Sequence, residues 1–125
     1  MKFIHYIALI IVFNMGLSQD VVLSLEGGNL NYVSAEDIAG FQFSHDGCVN
    51  SFSGGLAEEY NFQTGSSDIA LVSFSLDGAV IPSGIGNLIF LDGNVTSDCL
   101  FDFIFSDPFA QGIEIRYNHY GCSSP

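Results

Sequence analysis

Three cysteines, the histidines beside two of them, and fourteen carboxylates are the side chains of this chain that could do chemistry. The tetrapeptide His-x-Gly-Cys occurs twice, as His45-Asp46-Gly47-Cys48 and His119-Tyr120-Gly121-Cys122. Two His with two Cys is a ligand set for tetrahedral zinc, so His45, Cys48, His119 and Cys122 form a candidate zinc site. Oxidation competes with that reading. Cys99 and Cys122 flank the last predicted hairpin, whose strands over 100–106 and 113–120 are joined by Asp107-Pro108-Phe109-Ala110-Gln111-Gly112. Folding it about that turn brings positions near 99 and 120 together, so a Cys99–Cys122 disulfide would clamp its open end. Such a bridge is worth about 3 kcal/mol through loop entropy, and it leaves Cys48 free or intermolecular. A Cys48–Cys122 bridge fits the repeated tetrapeptide as well as zinc does.

The carboxylates concentrate at predicted strand ends: Asp46, Asp77, Asp92, Asp98 and Asp107. Calcium takes several oxygens from loops of this kind, and Asp92, Asn94 and Asp98 are the densest group. No 12-residue calcium loop is present, and Asp is a favoured turn residue in any case. No cofactor is required by the sequence. Asn94-Val95-Thr96 is an N-glycosylation sequon, relevant if the source glycosylates it. The chain has no Gly-x-Ser-x-Gly elbow, no His-Glu-x-x-His and no phosphate-cradling loop. Carboxylate pairs for glycoside hydrolysis could be drawn from any strands among fourteen acids, which discriminates nothing. The reading is a non-enzyme.

The elements that must hold these residues begin after a leader. Lys2 precedes an apolar run over residues 4–13, and Met15-Gly16-Leu17-Ser18-Gln19 leads to Asp20, the first acid. These are the parts of a cleavable signal peptide spanning 1–19, and the run is too short for the roughly 20 apolar residues of a membrane span. The expected address is secreted, extracellular. No second long apolar run follows, so no membrane insertion is expected after signal removal. Arg116 then stands alone against fourteen acids, a charge of −13. That surface repels nucleic acid and anionic headgroups, and attracts cations and basic patches on a partner.

Residues 20–125 make one domain, and ten Phe remain to fill its core. Period-two alternation recurs along it: Val21, Leu23 and Leu25; Ala39, Phe41 and Phe43; Val72, Phe74 and Leu76; Leu88 and Phe90; Cys99, Phe101, Phe103 and Phe105; Ile113, Ile115 and Tyr117. Each set reads as the buried face of a strand. Single helical turns are predicted at Ser34-Ala35-Glu36-Asp37 and Leu56-Ala57-Glu58-Glu59-Tyr60. Asp46-Gly47, Asp77-Gly78 and Asp92-Gly93 punctuate the strands as turns. The fold class is all-β, a jelly-roll β-sandwich of about seven to nine strands.

Four segments in order resemble cohesin-like domains. Asp37-Ile38-Ala39-Gly40-Phe41-Gln42-Phe43 before Asp46-Gly47 resembles an early strand and turn of that family. Ser53-Gly54-Gly55 with Tyr60-Asn61-Phe62 resembles the segment that follows. Val72-Ser73-Phe74-Ser75-Leu76-Asp77-Gly78 and Ile81-Pro82-Ser83-Gly84-Ile85-Gly86-Asn87-Leu88 resemble the next two blocks. The match spans residues 23–117. It implies a flattened jelly-roll sandwich acting as a non-catalytic receptor for dockerin modules, with relatives that bind carbohydrate. This chain is shorter than a typical scaffold cohesin, and no dockerin-contact residue can be carried over.

The expected function is extracellular protein–protein attachment or assembly, with a dockerin-like partner or self-association. A carbohydrate-binding role is the alternative. With no Trp, only Tyr32, Tyr60, Tyr117 and Tyr120 could serve as its aromatic platform for a glycan. A third reading is a structural subunit of an extracellular matrix or filament.

Overall fold

The computed structural model describes residues 20–117. The leader, residues 1–19, and His119, Tyr120 and Cys122 lie outside the described residues. Nine strands follow in chain order: β1 (Asp20–Glu26), β2 (Asn29–Ser34), β3 (Gly40–His45), β4 (Val49–Ser53), β5 (Gln63–Ser66), β6 (Ala70–Phe74), β7 (Gly84–Gly93), β8 (Leu100–Ser106) and β9 (Gly112–Tyr117). One short helix, α1 (Gly55–Glu59), links β4 to β5, and a single 3-10 turn, Ser97–Cys99, precedes β8.

Hydrogen bonding runs continuously in the order β4-β7-β2-β1-β9-β8-β3-β6-β5. The ladder is thinnest between β8 and β9, which pair only at Phe105↔Ile113 and Ser106↔Gly112. There the sheet folds over into two layers, β4-β7-β2-β1-β9 and β8-β3-β6-β5. Side chains of both layers join in one buried cluster, including Val21, Leu23, Leu30, Phe43, Leu71, Leu91 and Phe105. This is the expected all-β sandwich.

Turn chemistry behaves as the residue types require. Gly47, Gly78 and Gly93 all take positive φ after their aspartates, a region closed to most side chains. The helical turn expected at Leu56 forms, with Ala57 buried. The one expected at Ser34 does not. Ser34 Oγ accepts the Glu36 N–H at 3.0 Å and donates to the Glu36 carbonyl at 2.7 Å. That local bonding bends the chain instead of winding it.

Two strands depart from the alternation read in the sequence. In β8 the stripe Cys99, Phe101, Phe103, Phe105 is split. The pairing with β3 shifts between Gln42↔Ile104 and Ser44↔Phe101, so β8 carries one extra residue. Asp102, at φ 55°, is that bulge. Cys99, Leu100 and Phe105 stay buried and Phe103 packs at a tilt on Phe43, ring centres 5.4 Å apart, while Phe101 and Ile104 both turn outward. In β6 the period of two holds but the faces are exchanged. Ser73 is fully buried, its Oγ 2.8 Å from Thr64 Oγ1, whereas Val72 and Phe74 are 39% and 43% exposed.

Candidate functional site

The outward face of β8-β3-β6-β5 is built from these two departures. The register sets Ile104, Gln42, Val72 and Gly65 side by side, with Ser106, Gly40, Phe74 and Gln63 as the next row. Val72 and Phe74 thus form a ridge along β6. Gly40 and Gly65, without side chains, leave a shallow groove on each side. The first, of about 170 Å³, runs past Gly40 and Gln42 to Ile104. The second, of about 400 Å³, lies over Gly65 and Ala70.

Exposed apolar side chains are concentrated on this sheet. Val72, Phe74, Phe101 and Ile104 lie on its strands, and Ile69, Leu76 and Phe109 lie in its loops. The other sheet shows only the cross-strand pair Val33 and Ile85 among the large exposed apolar residues described. A solvated sheet face normally alternates apolar-in with polar-out. Here a serine is buried while a phenylalanine is left in water, the arrangement expected of a contact surface.

Acids frame the same sheet. Asp77 and Asp107 sit in loops at one end, Asp46 and Asp68 at the other, and Asp102 lies within β8. Two of them are occupied by turns. Asp77 Oδ1 accepts the Ala79 N–H at 3.1 Å, and Asp107 Oδ1 accepts those of Phe109 and Gln111, each at 2.9 Å. Arg116, the one Lys or Arg among the described residues, is on β9 in the other sheet.

The cysteines are paired differently from the expectation. Cys48, in the β3–β4 turn, is bonded to Cys99, with their Cα atoms 6.5 Å apart. The predicted Cys99–Cys122 bridge assumed that β8 and β9 pair along their whole length. Instead β9 leaves β8 to pair in parallel with β1, and β8 begins at Leu100 opposite His45 of β3. Cys99 therefore meets Cys48. Nor is Cys48 free or intermolecular.

That bond also dismantles the zinc set. The Cys48 sulfur is held in the disulfide, and His45 is buried with both ring nitrogens engaged. Its Nδ1 accepts the Gly47 N–H at 3.0 Å and its Nε2 donates to the Ser67 carbonyl at 2.9 Å. Among the described residues three metal-ligating side chains converge only at Asp46, Cys48 and Cys99, whose two sulfurs are the bonded pair. The calcium candidates are placed apart in their contacts: Asp92, at the end of β7, accepts from Ser51 Oγ at 3.5 Å, while Asp98 acts on Tyr117. Asn94 is exposed in the loop between them, so the sequon is accessible.

Of the tyrosines expected as a glycan platform, the three among the described residues are drawn inward. Tyr32 is 3% exposed and donates its hydroxyl to the Pro82 carbonyl at 2.8 Å. Its pKa is raised, first by burial and then by the charges of Tyr60 and Asp37. Tyr60 is half-buried, packed against the core. Tyr117 packs on Phe103 at 4.7 Å between ring centres. Its pKa is pushed up to about 12, chiefly by burial and secondarily by Asp98. The fold thus favours the neutral phenol. That preference is fully present below about pH 10, the unfolded value, and is lost as pH rises toward 12. Stability of the wild-type domain is expected to fall between pH 10 and about 12 more steeply than that of Tyr117→Phe. Urea unfolding across that range, with phenolate absorbance followed in parallel, checks it; equal slopes would remove Tyr117 as the source.

Two further clefts are described. One, of about 330 Å³, lies between β4, α1 and the start of β5 and is lined by Phe52, Ala57, Glu58, Phe62 and Ile89. The other, of about 350 Å³, opens where β8 and β9 part, beside Phe103 and Tyr117.

No family model matches the sequence, and no curated protein matches it. Among solved structures, the chain is similar to a non-cellulosomal cohesin from the hyperthermophilic archaeon Archaeoglobus fulgidus, with a TM-score of 0.51 at 12% identity. The match covers 80% of this chain and 86% of that one. Identity at that level speaks to architecture alone. The domain has a cohesin-like fold.

Proposed function

We propose that this domain is a non-catalytic attachment module, working outside the cytoplasm, that docks a protein partner on the outer face of β8-β3-β6-β5. The carrying observation is the exchange of faces in β6, which buries Ser73 and exposes Val72 and Phe74. The buried Ser73 hydroxyl is satisfied by Thr64, but leaving a phenylalanine and a valine in water forgoes the apolar burial that would stabilise the fold. It is accounted for if the exposed ridge is covered in a complex. The Cys48–Cys99 bond supports the extracellular address, since such bonds persist mainly in oxidising compartments. A dockerin-type module and a second copy of the chain are the two occupants that the sequence resemblance suggests.

The test is capture from the source's own secreted fraction, with the disulfide-bonded domain immobilised. Val72→Ser, Phe74→Ser and Ile104→Ser combined is expected to weaken the captured complex by about 100-fold or more, as loss of central apolar anchors does. The Val33→Ser/Ile85→Ser pair on the other sheet should change it little. Retention of the same partner at the same affinity by the triple variant would sink the proposal.

A further inference from the structure

β5 is the outermost strand of its layer, paired with β6 on one side and with no described strand on the other. The hairpin joining β5 to β6 is closed by the Ser67 N–H on the Ala70 carbonyl at 2.8 Å. Bonded and non-bonded pairs alternate along an antiparallel ladder. Gly65 and Gln63 therefore bond inward, to Val72 and Phe74, and the N–H and C=O groups of Thr64 and Ser66 point off the sheet. Natural edges are blunted by charge, proline or a bulge. β4, the opposite edge, carries a bulge where its register with β7 shifts between Val49 and Ser51. β5 has none of these devices. Its register is regular, and no charge or proline occurs from Tyr60 to Ser67 in a chain of fourteen acids. Its length of four residues is its one protection.

Gly65 sits in this strand without a reason that the fold supplies. Its φ is outside the left-handed region, and a Cβ added to it would meet nothing within 4 Å. Gly28, Gly55 and Gly93 differ, since a Cβ there would run into the carbonyl oxygens of Leu91, Leu88 and Cys48. Glycine weakens a strand interior, and it often marks a place where another chain approaches closely. We infer that β5 takes up an extended segment of a partner protein as an added strand, with an aromatic side chain of that segment opposite Gly65. The backbone groups of Thr64 and Ser66 supply the hydrogen bonds. The aromatic ring lies across the bare glycine, in the groove over Gly65 and Ala70, and reaches Val72. A second copy is the disfavoured occupant, because the acids of two such chains oppose their approach. The edge is a separate contact from the docking face and does not depend on it.

Uncharged octapeptides of threonine and glutamine serve as probes on the disulfide-bonded domain, one with a central tyrosine and one with alanine in its place. Two further versions of the tyrosine peptide are N-methylated on alternate residues, in opposite phase. Binding is read by fluorescence anisotropy and amide exchange by NMR. The tyrosine peptide is expected to bind and to slow exchange of the Thr64 and Ser66 amides by about tenfold or more. The alanine peptide should bind about fivefold more weakly, and one N-methylated version should lose binding while the other keeps it. Gly65→Val should abolish the preference for tyrosine while leaving the unfolding midpoint unchanged or higher. Ser66→Pro removes an outward N–H and should weaken binding by about tenfold, whereas Ile104→Ser, on β8, should leave it unchanged. Failure of the tyrosine peptide to bind overturns the inference, as does equal binding by the two N-methylated versions. Weakening by Ile104→Ser as large as that by Ser66→Pro would put the peptide on the docking face, so that this inference fails and the docking reading stands. A dimer in sedimentation that Ser66→Pro dissolves would make the occupant a second copy and overturn it too.

Discussion

Replacing Cys48 and Cys99 together by alanine is expected to lower the unfolding free energy by about 4 kcal/mol. The bond spans 51 residues of sequence, and a loop of that size constrains the unfolded chain heavily. For a domain whose total stability is of order 5–15 kcal/mol, that loss is a large share. The bridge also fastens the β3–β4 turn to the start of β8, just past the last ladder pair, His45↔Leu100. Its removal should fray that end first, around buried His45 and its bonds to Ser67 and Gly47. Urea unfolding of the double variant against wild type measures the loss. Cys122→Ser is the control and should change stability by less than about 0.5 kcal/mol. A loss from Cys122→Ser as large as that of the double variant would show that the structural bridge involves Cys122 after all.

Two phenylalanines on adjacent strands of the same sheet should respond very unequally. Phe43 is 1% exposed and lies in the core beside Phe103, so Phe43→Ala is expected to cost about 3–5 kcal/mol through lost transfer energy and the cavity left behind. Phe74 faces out beside the groove over Gly40, so Phe74→Ala is expected to change stability by about 1 kcal/mol or less. The same residue type is thus part of the core on one face and exposed on the other. Thermal or urea unfolding of both variants reads the difference. A Phe74→Ala loss equal to that of Phe43→Ala would place Phe74 in the core and remove the argument for a docking face.

Much of the architecture was legible in the residues. Alternating apolar positions locate β1, β3, β6, β7, β8 and β9 but not β2, β4 or β5, and the Asp-Gly pairs mark turns after β3 and β6 and the end of β7, because both are local effects with short-range causes. What was not legible depends on register. Whether Val72 or Ser73 points inward is decided by pairing with β3 and β5, and the apolar pattern alone points to the wrong face. The bulge at Asp102 was hidden for the same reason, since an extra residue in a run of alternating phenylalanines leaves the composition unchanged. The cysteine pairing failed on a topological point. A short link between β8 and β9 suggested a complete hairpin, and only the parallel pairing of β9 with β1 shows that its open end splays. The candidate site is therefore invisible as a site in the sequence, and β5 (Gln63–Ser66), which supplies one of its grooves, carries no apolar alternation at all.

That parallel pairing has a bearing on how the molecule is made. β1 gains its second neighbour only when β9, the last strand described, comes alongside. Pairing between the two ends of a chain is entropically late, and folds dominated by such distant pairings assemble slowly. During synthesis the earlier strands can gather, but the layers have no link between β1 and β8 until β9 arrives. The backbone link between the layers is therefore the last that the described strands can make, so an assembly interrupted before β9 would hold its two layers by side-chain packing alone.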